Sequence, residues 1–218
     1  MSLEQTEVPT RRVLLVDDHE LIRCGVRSLY ADIDGVAIDW FEADSLEQGL
    51  EVYARNAPID AVLLDLNLND CKGLQGLRRF VQCHPDARVA VFSGTQDEFV
   101  VRQARALGAV AYVHKGALME DMRRTLGAFL KSQPGKREPG VPASAALFPK
   151  FAASGVYDRI SELGPRHLEI LELVLSGCAN QEISQSMSLS LGTVKNYVSA
   201  LLLALDVKSR SHLISLFR

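Results

Sequence analysis

Apolar residues in the first 131 positions come in short runs separated by amphipathic stretches. Arg12–Val16, Val36–Phe41, Ala61–Leu64, Arg88–Phe92 and Val110–Val113 have the length and residue types of strands. Between them, His19–Tyr30, Leu46–Asn56, Leu74–Cys83, Gln96–Leu107 and Ala117–Lys131 read as helices. The first helix is expected to carry Leu21, Ile22, Val26 and Leu29 on one face. Ser45 is placed as an N-cap, and Gly108 as the stop of the fourth helix. Five strand–helix alternations predict an α/β domain over residues 11–131, with a doubly wound five-stranded parallel sheet. Right-handed crossovers favour the flavodoxin-like strand order.

The pattern then changes. Residues 132–153 are broken by Pro134, Gly135, Pro139, Gly140, Pro142 and Pro149 and read as a linker. From 154 to 218 the signal is helical throughout: a weak pattern near Ser154–Ile160, then Pro165–Ser176, Gln181–Met187, Leu191–Leu205 and Ser209–Phe217. A short helix, a turn through Met187–Ser190 and a longer helix capped by Ser190 make a helix-turn-helix, the second domain being small and all-α.

Composition narrows the class. The chain has 47% hydrophobic and 23% charged residues, as ordinary globular proteins do, and its formal net charge of −3 gives no whole-chain sign of nucleic-acid binding. The four cysteines lack CxxC or zinc-like spacing, so neither a disulfide framework nor a zinc site is expected. Met1–Thr10 has no apolar signal-peptide core, and no stretch is long enough to span a membrane. A cytoplasmic protein with no membrane partner is expected.

The chemistry lies at the strand ends. The first strand runs into Asp17 and Asp18, the third into Asp65, the fourth into Ser93 and the fifth into Lys115. Ligands gather at the carboxyl edge of a parallel sheet. Carboxylates from two neighbouring strands repel one another and can share a hard divalent cation, for which Mg²⁺ is suited. A lysine and a hydroxyl beside a carboxylate make it an acceptor poised for a phosphoryl group.

These residues in this order resemble the receiver domain of two-component response regulators. The resemblance implies that Asp65 accepts phosphate from a sensor histidine kinase, that Ser93 and Lys115 attend the transfer, and that Tyr112 is the aromatic that turns on activation. It further implies Mg²⁺ held directly by Asp18 and Asp65, by Asp17 through water, and by the backbone carbonyl of Asn67. The family's usual proline is replaced by Asn69, and Asp70 stands where many relatives carry glycine. That puts a further negative charge near the site and suggests slower phosphorylation or tighter metal dependence.

In the tail, L-G-P-R, S-G-C-A-N-Q-E-I-S, S-L-G-T-V-K-N-Y-V and L-D-V-K-S-R resemble the DNA-binding domain of the NarL/LuxR family. Val194, Val198, Leu201 and Leu205 form the inward stripe of the longer helix, while Thr193, Lys195, Asn196 and Ser199 face out as DNA contacts. Gly164, His167 and Tyr197 depart from the family pattern, and Leu203 and Ala204 replace a basic pair. Leu201, Leu202 and Leu203 are expected to expose an apolar patch.

The combined expectation is a phosphorylation-dependent transcription regulator rather than an enzyme, dimerising on activation. One alternative is a degenerate helix-turn-helix domain that acts through protein contacts. Another is a phosphatase with an aspartyl-phosphate intermediate, which would place its nucleophile on the first strand with D-x-D spacing.

Overall fold

The computed structural model describes residues 9–131, 147–151, 160 and 163–217. Most of the expected linker, and the weak helical pattern near Ser154–Ile160 apart from Ile160, lie outside the described residues.

Among the described residues six strands form one sheet: β1 (Thr10–Val16), β2 (Asp32–Ile33), β3 (Val36–Ala43), β4 (Ala61–Asp65), β5 (Val89–Ser93) and β6 (Ala111–His114). Their order is β2-β3-β1-β4-β5-β6, and every pair is parallel except β2 with β3. Five of these are the expected strands in flavodoxin-like order. The sixth, β2, is a two-residue antiparallel addition made by a hairpin turn through Asp34 (φ 54°) and Gly35 (φ 78°). An Asp-Gly pair between apolar residues is a strong signal for such a turn, because both central positions need positive φ.

The helices α1 (Glu20–Leu29), α2 (Leu46–Arg55), α3 (Gln75–Cys83), α4 (Glu98–Ala106) and α5 (Met119–Lys131) flank the sheet. β1, β4 and β5 are buried along most or all of their length, as strands covered on both faces must be. The stripe expected on α1 is only partly inward: Val26 is buried and Ile22 half-buried, but Leu21 and Leu29 are exposed. Periodicity alone did not fix the angle at which this short helix meets the sheet.

Ser45 caps α2 as expected, accepting from the Gln48 amide. A second cap comes from a distance: the Asp70 carboxylate accepts from the Leu46 and Glu47 amides at 3.0 and 3.1 Å. Its charge is therefore held by the positive end of α2.

The second domain packs α6 (Pro165–Leu175), α7 (Asn180–Ser186), α8 (Leu191–Ala204) and α9 (Arg210–Ser215) around Ile170, Leu173, Val174, Ile183, Val194, Leu201 and Leu213. Ser190 caps α8 through the Thr193 amide. The two unusual residues His167 and Tyr197 meet edge to face at 5.0 Å, so each departure accommodates the other. Arg210 ties the domain together through the carbonyls of Cys178 and Val174 and the Asn180 side chain.

The two domains touch. α6 lies against the β4–α3 loop and α3, its Glu172 carboxylate accepting from the Leu74 amide and its Glu169 pairing with Arg78, and Phe217 packs edge to face on Phe99 of α4, its carbonyl accepting from the Glu98 amide at 3.3 Å. Leu147 and Phe148 are buried against the β6 edge, where the Leu147 carbonyl accepts from the Tyr112 amide at 2.8 Å. No helix among the described residues is long and apolar enough to cross a membrane.

Replacing Asp70 with alanine should lower the unfolding free energy of the chain by about 1 kcal/mol in urea titrations, the usual cost of losing a cap. Asp70→Asn should retain most of that contribution.

Candidate functional site

The parallel register brings the strand ends to one edge. Val16 lies opposite Leu64, Asp65 opposite Phe92 and Ser93 opposite His114, so Asp17, Asp65, Ser93 and Lys115 emerge side by side. Asp17 and Ser93 are fully buried and Asp65 nearly so.

The Lys115 ammonium stands 2.6 Å from Asp17 Oδ2 and 2.8 Å from Asp65 Oδ2. Its own backbone amide donates a hydrogen bond to the Ser93 carbonyl at 2.8 Å. Burial raises the carboxyl pKa of Asp65 above the usual range and the Asp17 charge adds to that, while Lys115 and the Asn67 amide pull it down. Removing two carboxylates from water is costly, and one ammonium shared between them offsets part of that cost.

One carboxylate, Asp18, lies beside this pair. Its Oδ1 is buried without a hydrogen bond and faces the His19 ring at 2.8 Å. Asp17 Oδ1 accepts from the His19 amide at 2.9 Å and meets the same ring at 3.0 Å. Ligand atoms of Asp17, Asp18, His19 and Asp65 all lie within 4.8 Å of one another. Three carboxylates at that spacing, one with an orphaned buried oxygen, suit a hard divalent cation. The Asn67 carbonyl accepts from the Lys72 ammonium at 3.3 Å, and its side-chain amide turns away to the Ser176 carbonyl at 3.4 Å.

Ser93 Oγ accepts from the Thr95 amide at 3.3 Å. Tyr112 is buried with its hydroxyl donating to the Thr95 carbonyl at 2.8 Å. Burial raises the phenol pKa, so this hydroxyl is a neutral donor. Tyr112 thus connects the loop after Ser93 to β6 and, through its backbone amide, to Leu147.

His19, for which the sequence suggests no role at the site, has its ring on the acidic pair. Its position directly after two aspartates was the available signal. Asp70 was expected to burden the site with charge, and its carboxylate instead caps α2.

On α8, Lys195, Asn196 and Ser199 are exposed, as expected of a binding face, whereas Thr193 is half-buried and its hydroxyl pairs with Ser190 Oγ at 2.8 Å. Val194, Val198, Leu201 and Leu205 are buried. The apolar patch expected of Leu201, Leu202 and Leu203 is not there. Leu201 is fully buried, Leu202 is half-buried, and Leu203 is exposed. One exposed leucine is ordinary surface.

Two family models match the chain: the response regulator receiver domain over residues 13–126 and the luxR family of bacterial regulatory proteins over 161–217. The nitrate/nitrite response regulator NarL of Escherichia coli K12 is 31% identical, over 91% of this chain and 90% of that protein. Response regulator GacA of Pseudomonas viridiflava is 35% identical over 85% of both chains. The RcsB response regulator of Salmonella typhimurium shares the fold with a TM-score of 0.67 at 18% identity, over 96% of this chain and 97% of that one.

Replacing Lys115 with methionine should move the Asp65 carboxyl titration, read by carboxyl-selective NMR of the metal-free chain, further upward. The ammonium is the largest influence holding it down, so an unchanged or lower value contradicts the assigned pairing.

Proposed function

Because the chain belongs to the LuxR-type response regulators, in which a receiver domain is joined to a helix-turn-helix DNA-binding domain, we propose that Asp65 takes the phosphoryl group from a sensor histidine kinase. The protein is a phosphorylation-dependent regulator of transcription. The observation that carries the Asp65 assignment is Lys115 bridging Asp17 and Asp65 at the carboxyl edge of the sheet.

In this reading an Asp65 carboxylate oxygen attacks the phosphorus, an acyl phosphate bond forms and the bond to the kinase imidazole nitrogen breaks. Its lone pair stays with the departing imidazole. Asp17, Asp18 and Asp65, with the Asn67 carbonyl, would hold Mg²⁺, which would supply positive charge to the phosphoryl oxygens. Lys115 leaves its ion pair with Asp65 to meet a phosphoryl oxygen, and Ser93 Oγ donates to another. The Ser93 loop then moves, and Tyr112, hydrogen-bonded to Thr95, moves with it.

The boundaries proposed are a receiver at 11–131, a linker at 132–153 and a DNA-binding domain at 154–218. Lys195, Asn196 and Ser199 would meet the major groove, with Thr193 buttressing the start of the helix. A cytoplasmic protein that dimerises on activation and has no enzymatic turnover of its own completes the reading. The exposed polar face of α8 favours DNA over a purely protein-binding role.

Asp65→Asn should abolish labelling by acetyl phosphate in the presence of Mg²⁺; labelling at unchanged stoichiometry would sink the assignment. In metal-free protein, Mg²⁺ at a hundredfold over its Kd should raise the unfolding free energy by about 2.7 kcal/mol, and Asp18→Asn should remove most of the gain. Lys195→Ala should weaken binding to all DNA sequences alike and reduce the slope of log K against log salt by about one. No binding at low salt in either phosphorylation state would favour a protein-contact role.

A further inference from the structure

The acidic turn that follows β1 is gripped by an arginine lying outside the carboxylate cluster. Arg23 stands at the end of the first turn of α1, with its side chain 15% exposed. Its Nη1 donates to the backbone carbonyl of Asp17 at 2.6 Å, and its Nε donates to Glu42 Oε2 at 3.2 Å. Glu42 lies on β3, opposite Leu15 of β1, and its other oxygen accepts from Arg27 Nη1 at 2.6 Å. One carboxylate thus anchors two arginines of α1 to the strand beside the site.

The carbonyl that Arg23 takes is one that the sheet leaves over. β1 pairs with β3 as far as Val16 opposite Ala43, and with β4 as far as Val16 opposite Leu64. Asp17 comes next. Its amide still donates to the Ala43 carbonyl at 3.0 Å, but its own carbonyl lies beyond the last paired position. The Ile22 and Arg23 amides of α1 turn back instead to the His19 carbonyl, at 3.0 and 3.2 Å. Asp17 is fully buried, so a carbonyl left there without a donor would be costly, and a guanidinium is a strong donor.

That carbonyl belongs to the peptide group joining Asp17 to Asp18. The group is planar, so holding its oxygen fixes the plane and the direction in which the Asp18 backbone leaves. Asp17 is also held through its side chain, by the His19 amide and the Lys115 ammonium. Asp18 Oδ1 is buried without a hydrogen bond, so the aim of that oxygen comes from the backbone behind it.

We propose that Arg23 is a positioning residue for the cation site: it holds the Asp17–Asp18 peptide so that Asp18 faces the cation beside Asp17 and Asp65, and Glu42 holds Arg23 in place. The proposal rests on those three carboxylates being ligands of the cation. An ion pair that merely ties α1 to β3 needs only Nε and Glu42. The Nη1 bond to the Asp17 carbonyl is the shorter of the two, and it is what joins the pair to the site. Both bonds come from one rigid planar group, which a lysine, with a single ammonium on a flexible stem, does not reproduce. Groups that orient a metal ligand carry a large share of the affinity, about ten- to a hundredfold when one is removed.

The test is a Mg²⁺ titration of the metal-free full chain, followed at the Asp18 amide by nitrogen–proton NMR, with urea unfolding of the same samples. Arg23→Met keeps most of the stem and removes both donors. It should raise the Mg²⁺ Kd by about tenfold or more, and it should shift the Asp18 amide nitrogen, which is bonded to the released carbonyl, before any metal is added. Labelling by acetyl phosphate should need about tenfold more Mg²⁺ to reach half its rate, and should recover the wild-type rate once Mg²⁺ saturates. Glu42→Ala should move Kd and the Asp18 amide in the same direction, whereas Glu42→Gln, which keeps an acceptor for Nε, should restore most of the affinity. Should Arg23→Met fail to fold, Arg23→Lys takes its place, and its single ammonium should leave the Kd raised. A lower unfolding free energy with the Mg²⁺ Kd and the Asp18 amide both unchanged overturns the positioning role and leaves only a tie between α1 and β3. A wild-type chain that binds no Mg²⁺ overturns the cation site, and the positioning role with it.

Discussion

Three carboxylates crowd one edge of a parallel sheet, and a single ammonium is shared between two of them. Much else in the receiver follows from that constraint. Asp17 and Asp65 are buried because β1 and β4 are central strands covered by helices on both faces, and buried carboxylates need cations. Lys115 provides one from the end of β6, two strands beyond Asp65, and the buried Asp18 Oδ1, which has no hydrogen bond, suits a second. Carboxylates this close are costly to bury without positive partners.

The edge also reaches outward. Ser93 and Tyr112 join through the Thr95 loop, and the Tyr112 backbone meets Leu147 on the way toward the second domain. On the other side the loop after Asp65 meets Glu172 of α6 and Ser176 just past its end. Two routes therefore leave Asp65, one through β6 and one through the β4–α3 loop. A switch needs contacts that differ between its states, and both routes supply contacts that depend on the loops bordering Asp65.

How much of this was legible in the sequence depended on how local the cause was. Apolar runs of strand length set five strands, and the residues closing them placed Asp17, Asp18, Asp65, Ser93 and Lys115 together. The inward stripe of α8 was equally readable, because periodicity and burial have the same cause. What escaped were pairings between segments far apart in the chain. Asp70 capping α2, His167 meeting Tyr197, and Glu172 reaching Leu74 are set by how elements pack, and no spacing rule announces them. The supposed leucine patch failed for a related reason: three consecutive leucines on a helix point in three directions, so Leu201 is buried while Leu203 is exposed. The Asp-Gly turn that makes β2 was local and could have been read.

The most direct test is to find where the phosphoryl group sits. The full chain is labelled with acetyl phosphate and Mg²⁺, the acyl phosphate is reduced with borohydride to leave a stable homoserine, and the peptides are mapped by mass spectrometry. The account predicts a homoserine at position 65 in high yield, absent when the metal is chelated. Modification at Asp17 or Asp18, or labelling that is indifferent to the metal, would contradict it.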